Sequence, residues 1–497
     1  MHRTLVYVTV FLLATCGLVY QLLAGAVASY VLGDSIAQFS VVIGCYLSAM
    51  GVGAYASRNL EPPGRLFVDA SLSAAVIGGC SSTLLLLTFP RSAFFRPVLY
   101  GVVIATGMLV GLALPLLLRV LRRQLALREL AARALAVDYA GAVVGSLVFS
   151  LLAVPRLGLA RTALTFGILQ ALSALAATYA LGPAVGPPKW LRVRAVCTVI
   201  ALSALLLLSP RMASVIEDGM YPDPVIYAHK SLYQRVVVTS GRGSLQLFLD
   251  GNLQFASTDE HRYHEALVHP ALVHARSRRN VLVLGGGDGL AVREILRHRD
   301  VQHVTLVDLD PAMTQLARTF EPVRRMNGGS LSNPRVRVIN DDAMVWLTQG
   351  TERYDSVIVD FPDPNNFSLG KLYTTRFYHL LRARLSPGAT VVVQSTSPMQ
   401  ARHSYWCVAR TLEASGFIIR PYHTAVPSFG EWGYVLARVE PFDAPSELPQ
   451  NLRFLTREVL ATLFVFSPDM ARVPGEINRL NNQVLVQLYD REWRRYF

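Results

Sequence analysis

The chain has 497 residues, of which 52% are hydrophobic and only 16% charged, and its formal net charge is +13. Ordinary soluble domains carry about 25% charged residues, so a wholly water-soluble globular protein is excluded. No basic stripe interleaved with aromatic residues accompanies the positive charge, which points away from nucleic acid and toward an anionic membrane surface.

The average conceals a division. Residues 1 to about 210 are nearly free of Lys, Asp and Glu, whereas the remainder has the mixture of a soluble protein. A membrane-crossing helix needs about 20 mostly apolar residues. Seven stretches meet that requirement: 5–30, 35–57, 67–89, 96–118, 132–154, 158–182 and 193–209. Turn signals separate them at Gly33-Asp34, Pro62-Pro63-Gly64, Pro90-Arg91, Pro155-Arg156 and Pro187-Pro188. The small residues of GAVVGS (141–146) would let helices approach closely. The segment 119–133 holds five arginines and reads as a loop meeting lipid headgroups. Positive loops usually face the cytoplasm, which with seven spans puts the soluble part outside. Its chemistry, set out below, needs a cytoplasmic donor, so a cytoplasmic catalytic part is the expectation. Asp138, near the start of its segment, would cap or pair helices, or line an ion or substrate pathway. Of the five cysteines, Cys16, Cys45, Cys80 and Cys197 lie in apolar segments, and with Cys407 they form no CxxC pair. A disulfide framework or a zinc site is therefore not expected. The further spans also argue against a cleaved signal peptide.

The soluble part begins near 213. Alternation in YQRVVV and LQLFLD, with Gly241-Arg242-Gly243 and Asp250-Gly251 as turn signals, predicts a β-hairpin. A helix over 259–275 follows, and then strands alternate with helices from NVLVLGGGDG to TVVVQS. That order predicts a mostly parallel sheet with helices on both faces. The tail 451–497 reads as helical. The expected organisation is a multi-span α-helical membrane domain (1–212), a small β-hairpin subdomain (213–258), an α/β Rossmann-like domain (259–440) and a helical tail (441–497).

In GGGDG (285–289), between a strand and a helix, glycines such as Gly285 and Gly287 let backbone approach a ligand, and the helix N-terminus adds donors. Asp308 closes the next strand, where a carboxylate accepts both hydroxyls of a ribose. Asp341-Asp342-Ala343 follow a third strand, where an acid meets an adenine amino group. Acids at successive strand ends point to the class I fold that binds S-adenosyl nucleotides. A dinucleotide fits less well, because Asp288 stands where its pyrophosphate would approach and would repel it. Asp288 suits a cationic ligand. Asp360 ends a further strand, and Asp363 lies three residues on, in a loop stiffened by Pro362 and Pro364. Asp259, Glu260 and Glu265 surround Tyr263 and His264 on the preceding helix, and a di- or polyamine would offset so many acids.

The residues YQ (233–234), LDG…DE…YHE (249–265), GGGDG, VDLD (307–310), DDA (341–343) and DFPDP (360–364) resemble the spermidine synthase family over roughly 225–440. The long apolar N-terminus and VPSFGEWGY (426–434) are similar to its membrane-bound branch. The resemblance implies that Gln234 and Asp308 bind a thioadenosine donor and that Asp342, with Asp341 and Ala343, holds its adenine. It implies that His264 and Asp288 face the aminopropyl or polyamine part, that Tyr263 lines the pocket and that Asp363 binds the amine. Asp360 would be the proton acceptor. The implied reaction moves an aminopropyl group from decarboxylated S-adenosylmethionine, a co-substrate, to a diamine such as putrescine. No metal or other cofactor is implied, and a homodimer is. Asn365-Asn366 replace a Gly-Pro usual in the family, and Phe429 replaces a tyrosine. Both changes touch acceptor recognition. Two alternatives stand beside this reading. A methyltransferase would bring the carboxylate of intact S-adenosylmethionine against Asp288. A polyamine sensor or transporter would rest on Asp138.

Overall fold

The computed structural model describes residues 3–32, 35–88, 92–122, 127–185, 188–443, 448–493 and 495. Gly33, Asp34, Pro90, Arg91 and Pro187, five of the turn-signal residues, lie outside them. The chain divides into two units, Met1–Pro222 and Asp223–Phe497.

The first unit consists of α1 (Arg3–Leu32), α2 (Ser35–Ala56), α3 (Pro63–Thr88), α4 (Ser92–Leu121), α5 (Leu127–Val148), α6 (Val154–Ala180) and α7 (Pro188–Met220). Among the described residues, six helical stretches are long and apolar enough to cross a membrane. One of them, Ala132–Ala180, takes in the segment 132–154 and nearly all of 158–182, which the sequence separated. A π-helical turn at Phe149–Ala153 joins α5 to α6, so Pro155 stands in the first turn of a helix and does not end one. The break falls later, at Gly158, whose φ of 75° and ψ of 175° no helix contains. Asp138 lies well inside α5, which removes a capping role. α4 reaches Leu121 and α5 begins at Leu127, so most of the arginine-rich segment is helical. Small residues act as expected in GAVVGS: a Cβ on Gly141 would stand 2.5 Å from the Phe11 carbonyl oxygen, and one on Gly145 2.9 Å from that of Thr15.

The second unit opens with β1 (Val225–Lys230), β2 (Arg235–Gly241), β3 (Ser244–Leu249) and β4 (Asn252–Ala256). They form one antiparallel sheet in chain order, a four-stranded meander where a single hairpin was predicted. Its tight turns are Arg242-Gly243 and Asp250-Gly251, with φ of 49°, 78°, 49° and 83°. Positive φ at both central residues matches the right-handed strand twist.

The large sheet contains β5 (Asn280–Gly285), β6 (His303–Asp308), β7 (Val336–Asn340), β8 (Tyr354–Asp360), β9 (Leu385–Gln394), β10 (Ile418–Val426) and β11 (Gly430–Arg438). Its order is β10-β11-β9-β8-β5-β6-β7. The five strands from β9 to β7 are parallel, and β11 is antiparallel to both β9 and β10. Side chains alternate between two cores, because successive residues of a strand point to opposite faces. Val281 and Val283 of β5 pack with the helix Glu260–His274 on one face. Leu282 and Leu284 pack on the other, with Phe377 and Leu412. β6 leaves β5 on one side and β8 lies on the other, so the strand order reverses at β5 and a crevice opens at the C-terminal strand ends. The tail differs from expectation. Among its described residues only Arg457–Leu463 and Val484–Trp493 are helical, and Pro468 and Pro474 lie in the irregular segment between.

Candidate active site

Gly285 ends β5 in register with Asp360, the end of β8. Its φ is 81°, and a Cβ there would lie 2.2 Å from the Asp360 carbonyl oxygen. Only glycine meets both conditions. The Gly286 N–H then donates to that same oxygen at 3.1 Å. Gly287 donates its N–H to Asp308 Oδ2 at 3.0 Å, and a Cβ there would meet the same atom at 2.6 Å. The glycine run thus brings the ends of β5, β6 and β8 together.

Asp308 also accepts the Asp310 N–H, at 2.9 Å. Burial lifts its pKa to about 6, against the pull of the two N–H donors. Asp310 is buried, caps the helix Pro311–Thr319 and accepts the Ser231 hydroxyl at 2.7 Å. Ser231 bonds the backbone of Gln234, which lies in a turn just before β2 and not in a strand. The meander is therefore fastened to the end of β6.

Asp341 accepts the Asp342 N–H at 2.7 Å, and its own N–H donates to the Asp308 carbonyl at 3.2 Å. Asp342 caps the helix Ala343–Gln349 and takes Lys371 Nζ at 2.5 Å, so its carboxyl is held below the usual range despite burial. Ala343 is the buried first residue of that helix.

Tyr263 donates its hydroxyl to Asp360 Oδ1 at 2.6 Å. Burial raises Asp360 to about 6, with the Asp288 charge adding to the rise and the His264 charge and Tyr263 hydroxyl opposing it. Asp288 accepts the Leu290 N–H at 2.8 Å and is likewise raised by burial, with His264 opposing. His264 is buried, and burial alone would depress its pKa, yet Glu260 at 3.0 Å holds it at about 8. Glu260 in turn accepts both terminal nitrogens of Arg293, at 3.0 and 2.9 Å. Arg293, Glu260 and His264 form a relay of charge ending beside Asp288 and Asp360.

Asp363 is fixed by Gln394 Nε2 at 3.1 Å and the Thr396 hydroxyl at 3.0 Å. Burial raises its pKa, and hydrogen bonds from Gln394, Tyr489 and Thr396 restrain it. Phe429 stands edge-on to Tyr263, with centroids 6.0 Å apart.

Three acids read from the sequence as facing a cation have other partners. Asp259 accepts the N–H and hydroxyl of Ser428, Glu260 pairs with Arg293, and Glu265 accepts three backbone N–H groups at 453–455. Each is itself buried and must find donors, a demand invisible from spacing along one helix. The sequence reading also missed Asp310, Gln394, Thr396 and Tyr489. Asp310 stands inside VDLD and Gln394 ends TVVVQ, so both were adjacent to recognised signals.

A mixed seven-stranded sheet in which only the last strand, β11, is reversed, acids at the ends of β5, β6 and β8, and glycines between them are the architecture of class I S-adenosyl-nucleotide-binding enzymes. The spermine/spermidine synthase domain matches residues 260–443. A polyamine aminopropyltransferase of Leptospira interrogans is 46% identical, over 99% of this chain and 99% of its own. Polyamine aminopropyltransferase 2 of Ralstonia nicotianae is 47% identical, over 99% and 98%. A crystal structure of spermidine synthase in complex with the transition state analogue AdoDATO aligns with 49% of this chain and 85% of its own, with 25% identity and a TM-score of 0.45. The chain belongs to the polyamine aminopropyltransferase family, in a branch that carries an N-terminal set of apolar helices, and it is an enzyme of that activity.

Proposed function

We propose that the enzyme transfers the aminopropyl group of decarboxylated S-adenosylmethionine to putrescine, giving spermidine and methylthioadenosine. The observation that carries this reading is the row of carboxylates at the strand ends. Asp288, Asp308 and Asp360 are all raised in pKa by burial, and a cationic donor and a cationic amine would each relieve that cost. A donor that kept its carboxylate would add another negative charge beside Asp288.

In this reading Asp308 and Gln234 hold the ribose and thioether side of the donor. Asp341, Asp342 and Ala343 receive the adenine, and the backbone at Gly285 and Gly287 lets the nucleotide approach. Asp288 and His264 border the aminopropyl chain, and Tyr263 lines the pocket beside it. Asp363 receives the distal ammonium of the amine. Asp360 takes a proton from the attacking nitrogen. The freed lone pair forms the new C–N bond as the C–S bond breaks, and the sulfonium becomes a neutral thioether. An ordinary carboxylate at about 3.9 is a poor base toward an amine at about 10.4, and the rise of Asp360 to about 6 narrows that gap. Positioning supplies the rest.

The purified enzyme should release methylthioadenosine from the decarboxylated donor in step with spermidine from putrescine, across a panel of diamines. Release with no diamine, or transfer only to others, would overturn the choice of putrescine. Asp308→Asn is expected to raise the donor KM about 10–100-fold through lost ribose hydrogen bonds. The acceptor KM should stay close to wild type. Equal rises in both would place Asp308 outside the donor site.

The apolar helices support placing the first unit in lipid. The expected donor supports a cytoplasmic catalytic unit. The outer edge of β1, exposed at four of its six residues, is open to pairing and supports a homodimer.

A further inference from the structure

Of the chain's 47 basic residues, all but Lys189, Lys230 and Lys371 are arginines. One of those three meets a strand-end carboxylate. Lys371 Nζ donates to Asp342 Oδ2 at 2.5 Å, across 29 residues of chain. The other oxygen is occupied from within. Asp342 Oδ1 accepts the N–H groups of Met344 and Val345, at 2.9 and 3.2 Å, as the cap of the helix Ala343–Gln349. A guanidinium grips a carboxylate by both oxygens, and here Oδ1 is already taken. A single ammonium matches the one oxygen that is left.

The pair does little for stability. Its two side chains are 33% and 26% exposed, and ion pairs so open to water contribute little. Nor is it needed to hold the lysine's own segment. The carbonyls of Gly370 and Tyr373, which flank Lys371, accept Asn478 Nδ2 at 3.0 and 3.1 Å. The Lys371 carbonyl accepts the Thr374 hydroxyl at 2.8 Å, and the Tyr373 hydroxyl donates to the Pro362 carbonyl at 3.1 Å. The backbone of 370–374 is thus fixed by other bonds, and the lysine reaches Asp342 from a rigid base.

We propose that Lys371 is a positioning and specificity-determining residue for the nucleotide donor: it holds Asp342 Oδ2 where that oxygen reads the 6-amino group of the adenine. This rests on Asp342 as an adenine ligand, proposed above. A carboxylate has about four acceptor directions. Two backbone N–H groups and the ammonium fill three, which leaves one on Oδ2. That direction demands a hydrogen-bond donor. An adenine amino group supplies an N–H there, whereas a 6-oxo purine presents a second acceptor and is refused. Without the ammonium, Oδ2 is free to turn from that direction, and the discrimination weakens.

The full-length enzyme in detergent should be assayed for inhibition by methylthioadenosine and by methylthioinosine, in which a 6-oxo group replaces the 6-amino group. The proteins compared are wild type, Lys371→Met and Asp342→Asn. Methionine keeps most of the lysine's length and removes its charge. Wild type is expected to bind methylthioadenosine at least about tenfold more tightly than methylthioinosine. Lys371→Met should weaken methylthioadenosine about 3–10-fold and methylthioinosine less than about twofold, with acceptor KM and thermal inactivation close to wild type. Asp342→Asn should erase the preference, because its amide can turn an N–H toward a 6-oxo group. If Asp342→Asn keeps the wild-type preference, Asp342 does not read the base, and the adenine assignment itself fails. If Asp342→Asn erases it while Lys371→Met keeps both wild-type inhibition constants, Asp342 reads the base and the lysine has no part in recognition. A Lys371→Met enzyme that loses both nucleosides and the acceptor amine alike would show a merely structural role and also overturn the proposal.

Discussion

Asp360→Asn is expected to lower kcat by about 10²–10⁴-fold, the range that a positioned general base contributes. The substitution is nearly isosteric. An Asn oxygen can still accept the Tyr263 hydroxyl that now donates to Asp360 Oδ1 at 2.6 Å, so packing is retained and only the charge is lost. Wild-type activity should rise with pH through about 6, because only ionised Asp360 accepts a proton. The variant should lack that rise. Its stability should be equal to wild type or higher. A carboxyl whose folded pKa of about 6 exceeds its unfolded value near 3.9 loses stability as pH climbs through that interval, and asparagine removes the effect. Thermal inactivation measured beside the pH–rate profile separates the two effects. A variant that keeps kcat within tenfold, with the same rise near pH 6, would place the base elsewhere.

Glu260→Gln is expected to destabilise the catalytic unit by about 3–5 kcal/mol, the cost of removing one member of a buried ion pair. Glu260 is 2% exposed and joins Arg293 to His264. The pH dependence identifies its partners. Glu260, lowered to about 2 from 4.5, contributes fully above about pH 4.5 and is lost as pH falls through 2. His264, raised to about 8 from 6.5, contributes fully below about pH 6.5 and is lost as pH rises through 8. The stability gap between wild type and variant should therefore be widest between about pH 4.5 and 6.5. It should narrow above 8 to what Arg293 alone supplies. A gap that stays constant from pH 6 to 9.5 would remove His264 from the pair. Activity should fall as well, because burial would leave the imidazole neutral and Asp288 and Asp360 without a neighbouring positive charge.

Much of this enzyme was legible in one dimension, because some physical demands are local. Apolar stretches of about 20 residues state their own environment. Gly241-Arg242-Gly243 and Asp250-Gly251 state their turns, since positive φ selects those residue types. GGGDG, VDLD, DDA and DFPDP mark strand ends, where a carboxylate is displayed by the strand that carries it. Those local demands fixed the alternation of strands and helices, and they singled out the residues proposed above for the donor site.

Demands that join distant segments were decided only by the tertiary structure. Spacing on one helix put Asp259, Glu260 and Glu265 beside a cation, but all three are buried and donors at Ser428, Arg293 and 453–455 claim them. No periodicity signals that Glu265 will meet three N–H groups nearly 190 residues later. Pro155 looked like a helix end, yet the chain passes through it and breaks at Gly158, because proline is tolerated in a helix's first turn. The tail lacks a repeating apolar face along most of its length, because its path is set by Glu265, Asn478 and Glu492. Local chemistry in the sequence therefore located the strand-end carboxylates proposed for the site, and long-range satisfaction of buried polar groups decided which other acids are held by partners elsewhere in the chain.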